Sequence, residues 1–169
     1  GGPIDGTMAE FMCLSEQGVV KIPSAYSDLE AATLPCAALT AWNAIQSATS
    51  LRTGDKVLIQ GCGGVALFAV QFARLLGAQV TVISSSEERM EKARALGAHQ
   101  TINYREQPEW AKATREITQG RGYDLIVELG GEKTLPQSLR CIRPGGTIAM
   151  IGILSGSSME TSLGYVITR

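Results

Sequence analysis

The sequence contains little of what marks several common classes of protein. Among its 169 residues there is one histidine, and its four cysteines are widely spaced, with no Cys-x-x-Cys pair. This usage favours reduced thiols in a cytoplasmic protein over a disulfide framework. No apolar run approaches the roughly 18 residues of a membrane-spanning helix, so we expect no membrane partner.

Charge and aromatic side chains are also scarce. The formal net charge is −1, aromatic residues make up 5% of the chain, and no basic patch is present, so we expect no nucleic-acid partner. Hydrophobic residues make up 44%, which is enough for a core, and the length fits one domain with at most an appendage.

A glycine-rich stretch between two short apolar runs is the most informative pattern. The runs, over residues 57–59 and 80–83, and the helical pattern between them predict a strand–turn–helix–strand unit. In the turn, Gly61, Gly63 and Ala66 fit the spacing G-x-G-x-x-G/A. The first glycine allows a tight turn, the second lets a pyrophosphate approach the backbone, and the helix N-terminus attracts its charge. The alternative is a glycine turn that only connects two elements.

Strands alternate with helices along most of the chain. Five strands are predicted, over residues 56–60, 79–84, 100–103, 123–129 and 147–152, with a further candidate over residues 8–14. Helices are predicted over residues 28–34, 36–48, 65–76, 87–96, 108–119 and 133–141. The alternation predicts an α/β fold with a doubly wound parallel sheet, whose ligand lies at the carboxyl ends of the strands. A six-stranded version needs a strand after Arg169, so we expect the fifth strand to be an exposed edge that invites pairing between chains, and a homodimer.

The end of the second strand bears on the choice between NAD and NADP. The NAD version of this motif has an Asp or Glu there, which accepts hydrogen bonds from the ribose 2′-OH. Here three serines occupy residues 84–86, Arg89 follows in the next helical turn, and Tyr104 and Arg105 end the third strand. Serines can donate to a 2′-phosphate and Arg89 can supply a counter-charge. We therefore predict NADP as the cofactor, with NAD as the alternative.

A structural explanation of the same residues remains open. Ser85 and Glu88 have the spacing of a helix capping box, and Arg89 could be a solvated surface residue. Glu87 and Glu88 lie close by, and their charges count against a bound phosphate.

Several segments together resemble a known group of enzymes. They are Asp-Gly-Thr-Met-Ala-Glu-Phe (5–11), Glu-Ala-Ala-Thr-Leu-Pro (30–35), Leu-Thr-Ala-Trp (39–42), Gly-Cys-Gly-Gly-Val (61–65), Ala-Leu-Gly-Ala (95–98) and Ile-Asn-Tyr-Arg (102–105). In combination, the sequence resembles the medium-chain dehydrogenase/reductase superfamily, and most of all its zinc-free quinone-oxidoreductase and enoyl-reductase side. The resemblance covers residues 5 to about 153.

The resemblance implies a hydride transfer between NAD(P)H and a small-molecule substrate, which would be an alcohol, ketone, quinone or activated alkene. It also implies that residues 1–35 join a GroES-like substrate domain to a Rossmann domain over residues 36–169, and that both continue beyond this chain. We therefore expect the 169-residue chain to bind a dinucleotide weakly or not at all and to catalyse nothing, with the catalytic residues unknown.

Two other functions are kept as alternatives. One is a non-catalytic dinucleotide-binding or regulatory module. The other is a methyltransferase that binds S-adenosylmethionine, which the turn at Pro144-Gly145-Gly146 would suit but the serines after the second strand would not.

Cofactor contacts are implied by the resemblance, residue by residue. Thr40 would touch the nicotinamide end, and Gly61, Gly63, Gly64 and Val65 would hold the pyrophosphate. The remaining contacts would be Ser84, Ser85, Arg89 and Tyr104 around the adenosine phosphate, and Leu129, Gly130, Ile151, Gly152 and Ile153 along the nicotinamide ribose.

Three further side chains have two explanations each. Cys36 lies where zinc-bearing members of the superfamily keep a ligand, but a catalytic zinc needs three protein ligands and the one histidine, His99, is distant in sequence. We expect no metal site and an ordinary buried Cys36. Cys62, at a helix N-terminus, is either a thiol of lowered pKa with a redox role or a tolerated small side chain. Glu128, at the end of the fourth strand, either faces the cofactor ribose or is paired elsewhere.

Overall fold

The computed structural model describes residues 5–47, 51–158, 160 and 164, and the chain divides into two compact units, Gly1–Thr33 and Leu34–Arg169. Within its described residues, the first unit has a 3-10 turn at Glu16–Gly18 and a short helix, α1 (Asp28–Ala31). The Ser27 hydroxyl accepts from the Glu30 amide, and the Glu30 carboxylate accepts from the Ser27 amide over 2.9 Å. This capping box explains why α1 begins at Asp28.

The predicted strand over residues 8–14 is wrong. These residues have an irregular backbone, and Met8 and Phe11 are 103% and 91% exposed. An extended segment becomes a strand only when a neighbouring strand takes up its backbone N–H and C=O groups. In the described part of the first unit no segment does so for residues 8–14.

The second unit begins with a π-helical turn, Leu34–Ala38, which runs into helix α2 (Leu39–Ser47). The sequence predicted one helix over residues 36–48, of which residue 48 lies outside the described residues. Strands and helices then alternate as β1 (Lys56–Gln60), α3 (Gly64–Leu75), β2 (Gln79–Ser84), α4 (Glu87–Ala95), β3 (Gln100–Asn103), α5 (Trp110–Ile117), β4 (Tyr123–Glu128), α6 (Leu135–Cys141) and β5 (Ile142–Met150).

The five strands form one parallel sheet in the order β3-β2-β1-β4-β5. Val57 of β1 pairs with Val80 on one side and with Leu125 on the other, so β1 is central. The strand order reverses between β1 and β4, and a ligand crevice opens at such a reversal. The predicted doubly wound α/β fold is confirmed, and β5 is an edge of the sheet in the described part of the chain.

Buried β-branched and small residues explain how the layers form. Val57, Leu58 and Ile59 of β1 are fully buried, as a strand covered on both faces requires. Small side chains let α3 lie close to one face of the sheet, and a second cluster fills the other face. The α3 residues are Ala66, Ala69, Val70 and Ala73; the second cluster includes Leu58, Trp110, Ala111, Ile126 and Cys141. No helix among the described residues is long and apolar enough to cross a membrane.

Strand β5 was predicted over residues 147–152, but it begins at Ile142 and ends at Met150. Tyr123 pairs with Ile142 and Leu125 with Thr147, so residues 143–146 bulge out opposite a single residue of β4. Pro144 has no amide to donate and Gly145 has a φ of 70°, and both properties suit a bulge. The Pro-Gly-Gly stretch thus interrupts the pairing inside a strand rather than preceding one.

The cap of helix α4 also differs from the prediction by one residue. The Ser86 hydroxyl, not that of Ser85, accepts from the Arg89 amide, over 3.4 Å. Glu88 pairs with Lys92 over 3.0 Å instead of completing a capping box. Three consecutive serines offer equivalent caps, and only the folded backbone selects one of them.

Candidate functional site

The turn between β1 and α3 exposes backbone amides at a helix N-terminus. Gly61 has a φ of 76°, which favours glycine, and Gly63 is the N-cap of α3. No side chain caps this helix, nor α5 and α6, whereas Ser27 and Ser86 cap α1 and α4. The first i→i−4 bond of α3 runs from the Leu67 amide to the Gly63 carbonyl, over 2.9 Å. The amides before Leu67 therefore have no acceptor within the helix, which suits an anion.

The space in front of this turn is open. A Cβ built on Gly63 would meet no protein atom within 4 Å, and Gly63 has an ordinary φ of −84°. The turn borders a cavity of about 730 Å³ at the carboxyl ends of the strands. Its lining is Gln60, Gly61, Gly63, Gly64, Val65, Ala66, Ile83, Tyr104, Pro108, Trp110, Leu129, Gly130, Lys133, Thr134, Gln137, Ile151, Gly152, Leu154 and Ser155.

One wall of the cavity consists of the loops that follow β4 and β5. The Ser155 amide and hydroxyl both donate to the Gly130 carbonyl, over 2.7 and 2.8 Å. A Cβ on Gly152 would collide with the carbonyl oxygen of Leu129, so only glycine lets the two loops lie this close. Leu129, Gly130 and Gly152 are thus fixed together on the same side of the cavity.

A buried carboxylate holds the first of these loops. Glu128 is fully buried, and its Oε1 accepts from the Gly130 and Gly131 amides over 3.0 and 3.1 Å and from the Thr134 hydroxyl over 2.5 Å. Its Oε2 accepts from the Ser138 hydroxyl over 2.5 Å. Each of these hydrogen bonds joins Glu128 to another protein group, so the structure favours the second explanation of Glu128, a residue paired elsewhere rather than one facing a ribose.

Gln60, the last residue of β1, completes this arrangement. Its Nε2 donates to the Glu128 carboxylate over 2.5 Å and to the Ser138 hydroxyl over 2.8 Å. Its Oε1 accepts from the Leu129 and Gly130 amides, over 3.2 and 3.0 Å. Gln60 was not among the predicted site residues, and no local signal marks it, because its partners lie 68–78 residues along the chain.

A second wall follows β3 and includes a tryptophan that the sequence analysis did not select. Trp110, at the start of α5, is 3% exposed and lines the cavity beside Pro108 and Tyr104. The Gln137 side chain of α6 fixes this wall, since it donates to the Pro108 carbonyl over 2.8 Å and accepts from the Ala111 amide over 2.9 Å. Trp110 follows the carboxyl end of β3, and this position in the sequence is the signal that could have identified it.

The serines that follow β2 lie beside the glycine turn. Ser84 is buried and Ser85 half-buried, while Arg89 is exposed in the first turn of α4. Burial raises the pKa of the Cys62 thiol, and a hydrogen bond with Ser84 and the charge of Arg89 only partly oppose it. The lowered thiol pKa that would support a redox role for Cys62 is therefore wrong, because the effect of burial on the pKa is the larger one.

The structure brings together many of the predicted contacts in this cavity: Gly61, Gly63, Gly64, Val65, Tyr104, Leu129, Gly130, Ile151 and Gly152. Ser84, Ser85 and Arg89 lie outside its lining, and Ile153 is exposed after β5. Thr40 lines a separate open cavity of about 540 Å³ with Leu39, Asn43 and Ala149, and Ile151 borders both cavities.

No group of three or more His, Cys, Asp or Glu side chains that could hold a metal ion occurs among the described residues. Cys36 is exposed in the π-helical turn, so the expectation of a buried Cys36 is wrong. His99 lies in the loop between α4 and β3, where its Nδ1 accepts from the Val80 amide over 2.9 Å. Among the described residues, Cys36 and His99 therefore belong to no such group of side chains.

Comparisons with known proteins agree on one group of enzymes. A family model described as zinc-binding dehydrogenase matches residues 64–169. A zinc-type alcohol dehydrogenase-like protein of Schizosaccharomyces pombe is 44% identical over 169 residues, which cover 99% of this chain and 49% of that protein. The chain spans about half the length of the relatives that it matches.

Two solved structures show the same likeness in three dimensions. The crystal structure of an NAD-dependent alcohol dehydrogenase has a TM-score of 0.88 at 36% identity, covering 96% of this chain and 47% of that one. The Escherichia coli quinone oxidoreductase complexed with NADPH has a TM-score of 0.81 at 28% identity, covering 88% of this chain and 45% of that one.

Proposed function

Because this chain belongs to the zinc-binding dehydrogenase family of the medium-chain dehydrogenase/reductase superfamily, we propose that it is the cofactor domain of an NADP(H)-dependent oxidoreductase. The reaction is a hydride transfer to or from an alcohol, ketone, quinone or activated alkene. The observation that carries the proposal is the uncapped N-terminus of α3, with the empty space in front of Gly63.

The residues around the cavity fit a dinucleotide. Backbone amides at Gly63 and Gly64 suit its pyrophosphate, since they approach an anion with no Cβ in the way. Leu129 and Gly130 supply an apolar wall for the nicotinamide ribose. Thr40 belongs to the neighbouring cavity, which Ile151 joins to the first, so we assign it to the nicotinamide end. The bound cofactor supplies the hydride chemistry, while this chain binds it and orients it.

The preference for NADP rests on the charges near the end of β2. No carboxylate occupies residues 84–86, and the two acidic residues at the start of α4 are paired with other cations. Glu87 pairs with Arg94 over 2.7 Å and Glu88 with Lys92 over 3.0 Å. No ion pair is found for Arg89 among the described residues. Arg89 is therefore the cation that suits a 2′-phosphate.

The methyltransferase alternative loses its supporting feature. The bulge at residues 143–146 lies near the amino-terminal end of β4, opposite Asp124, whereas the cavity lies at the carboxyl ends of the strands. The Pro-Gly-Gly stretch therefore contributes nothing to a ligand at the cavity. No zinc ligand enters the proposal, because no set of metal-binding side chains converges in the described part of the chain.

A fluorescence titration tests the proposal. The chain has two tryptophans, so the variant Trp42→Phe leaves Trp110, in the cavity wall, as the only reporter. Bound NADPH should accept energy from Trp110 and quench it, and we expect NADPH to bind about tenfold more tightly than NADH. S-adenosylmethionine should not compete. Tighter binding of NADH would contradict the NADP preference, and competition by S-adenosylmethionine, or no binding of either nucleotide at millimolar concentration, would contradict the dinucleotide site.

A non-catalytic dinucleotide-binding module would bind the same cofactor as an oxidoreductase domain but would belong to a protein that turns over no substrate. The sequence allows weak binding or none, and the open space at Gly63 favours weak binding. We expect the 169-residue chain to oxidise no NADPH when a quinone, ketone or activated alkene is added. The test is the absorbance of NADPH with and without the chain, and turnover above the protein-free rate would contradict the inactivity of this chain.

A further inference from the structure

We propose that Glu128 is a positioning residue of the dinucleotide site, acting together with Gln60. Its buried carboxylate ties the loop along the nicotinamide half of the site to the strand end that leads into the phosphate turn. The inference rests on the proposed function, since it assigns Glu128 a part in holding the same cofactor.

The sheet itself brings the two side chains together. Ile59 of β1 pairs with Val127 of β4, so the next residues, Gln60 and Glu128, lie side by side where the strand order reverses. Gly61 follows Gln60 directly and Leu129 follows Glu128, which means that each side chain precedes one wall of the cavity. The hydrogen bond between Gln60 and Glu128 therefore links those two walls.

The pair binds three successive amides of the loop. Gln60 accepts from the Leu129 amide, both side chains accept from the Gly130 amide, and Glu128 accepts from the Gly131 amide. Two buried side chains thereby orient three consecutive peptide groups. Gly131 has a φ of 91°, a conformation that favours glycine.

The chemistry requires a carboxylate at position 128 rather than an amide. Hydroxyls such as those of Thr134 and Ser138 can rotate to donate or accept, but backbone amides can only donate. The Gln60 nitrogen also donates, and its oxygen is already used by the Leu129 and Gly130 amides. In Glu128→Gln, the new amide nitrogen would face the Gln60 amide nitrogen. Both groups are donors, so one buried N–H would have no acceptor.

An exchange of the two side chains offers a rescue. In the double variant Gln60→Glu/Glu128→Gln, the carboxylate at position 60 accepts from the Leu129 and Gly130 amides and from the new amide nitrogen at position 128. The amide oxygen at position 128 still accepts from the Gly130 and Gly131 amides. The Ser138 hydroxyl now donates to the carboxylate at position 60 and accepts from the amide nitrogen at position 128. The donors and acceptors then match again, with the charge moved by one strand.

A matched control lies on the same strand. Asp124 is a second buried carboxylate of β4, 2% exposed, but it lies at the opposite end of the strand from the cavity. Asp124→Asn should lower stability without loosening residues 129–131. Thr134→Val, which removes one hydroxyl donor to Glu128, is a milder variant in case Glu128→Gln does not fold.

Two measurements test the proposal. The first is hydrogen–deuterium exchange at the amides of residues 129–131, which we expect Glu128→Gln to accelerate about tenfold and Asp124→Asn to leave unchanged. The second is the dissociation constant for NADPH compared with that for 2′,5′-ADP, its adenosine half. We expect Glu128→Gln to weaken NADPH about tenfold with little change for 2′,5′-ADP, and the exchange variant to recover most of the loss. Thr134→Val should weaken NADPH binding about threefold, again with little change for 2′,5′-ADP.

The outcomes separate this inference from the proposed function. If the unmodified chain does not bind NADPH, the proposed function fails, while amide exchange still judges whether Glu128 orients the loop. If the chain binds NADPH and Glu128→Gln weakens NADPH and 2′,5′-ADP equally, Glu128 is merely structural and the proposal is overturned. Unchanged exchange at residues 129–131, or no recovery in the exchange variant, would also overturn it.

Discussion

Both terminal nitrogens of the Arg121 guanidinium donate to the Asp124 carboxylate, each over 2.7 Å. Arg143 adds a bond of 2.6 Å and the Lys56 amide one of 2.8 Å, so the carboxylate joins the start of β1, the start of β4 and the bulge of β5. Burial raises the pKa of Asp124, but the bonds from Arg121, the Lys56 amide and Arg143 more than offset it, and the pKa lies below its ordinary value.

The Asp124 cluster predicts a pH dependence of stability. Asp124→Asn should lower the free energy of unfolding by about 2–3 kcal/mol at neutral pH, because hydrogen bonds from charged donors are lost. A lowered pKa in the folded state adds stability above the unfolded pKa, about 3.9, and that stability disappears as the pH falls through the folded pKa. Urea unfolding of both proteins should therefore give a difference that narrows below about pH 4. A difference that stays constant in acid would contradict the pKa shift, and Glu116→Gln, at an exposed site, serves as the control.

The empty space at Gly63 predicts a loss of binding without a loss of stability. Gly63→Ala places a Cβ where no protein atom lies within 4 Å and where φ is −84°, so the unfolding free energy should change little. The same Cβ would occupy space that we assign to the pyrophosphate, and NADPH affinity should fall by about tenfold or more. Gly18→Ala, which also meets no atom within 4 Å, is the matched control for the titration. Unchanged affinity in Gly63→Ala would show that phosphate does not approach this turn.

Arg89 predicts a change in cofactor preference rather than in overall affinity. Arg89→Gln removes the cation that we assign to the 2′-phosphate, so NADPH should bind about tenfold more weakly while NADH is unaffected. Lys112→Gln removes an exposed charge from α5 and should change neither affinity. Equal effects of Arg89→Gln on the two nucleotides would assign Arg89 to general electrostatics and not to the 2′-phosphate.

Much of the fold follows from sequence pattern because the strands are buried on both faces. The bounds predicted for β1, β2 and β3 are those found, since short apolar or β-branched runs end abruptly at glycine or polar residues. β5 was misjudged because Pro144 and Gly145 are typical of turns between elements, and only the neighbouring strand shows that they form a bulge. The strand predicted over residues 8–14 failed for a related reason, since a strand depends on a partner that local sequence does not reveal.

Part of the candidate site can likewise be predicted from local sequence, and the rest depends on residues that are distant in the chain. The turn at Gly61–Gly63 is a local motif, and the sequence predicts it together with its helix. Gln60 and Gln137 carry no local signal. Gln60 bonds to residues at the end of β4 and after it, and Gln137 bonds to Pro108 and to Ala111 at the start of α5. Such contacts depend on strand order and on the packing of helices against the sheet, which the chain fixes only once it has folded.

The central claim is that dinucleotide phosphates lie against the backbone at the start of α3. The most direct measurement is the change in backbone amide chemical shifts of the 15N-labelled chain when NADPH is added. We predict the largest shifts at Gly63, Gly64 and Val65, with smaller shifts at Leu129 and Gly130. Shifts concentrated elsewhere, with the amides of residues 63–65 unmoved at saturating NADPH, would contradict the account.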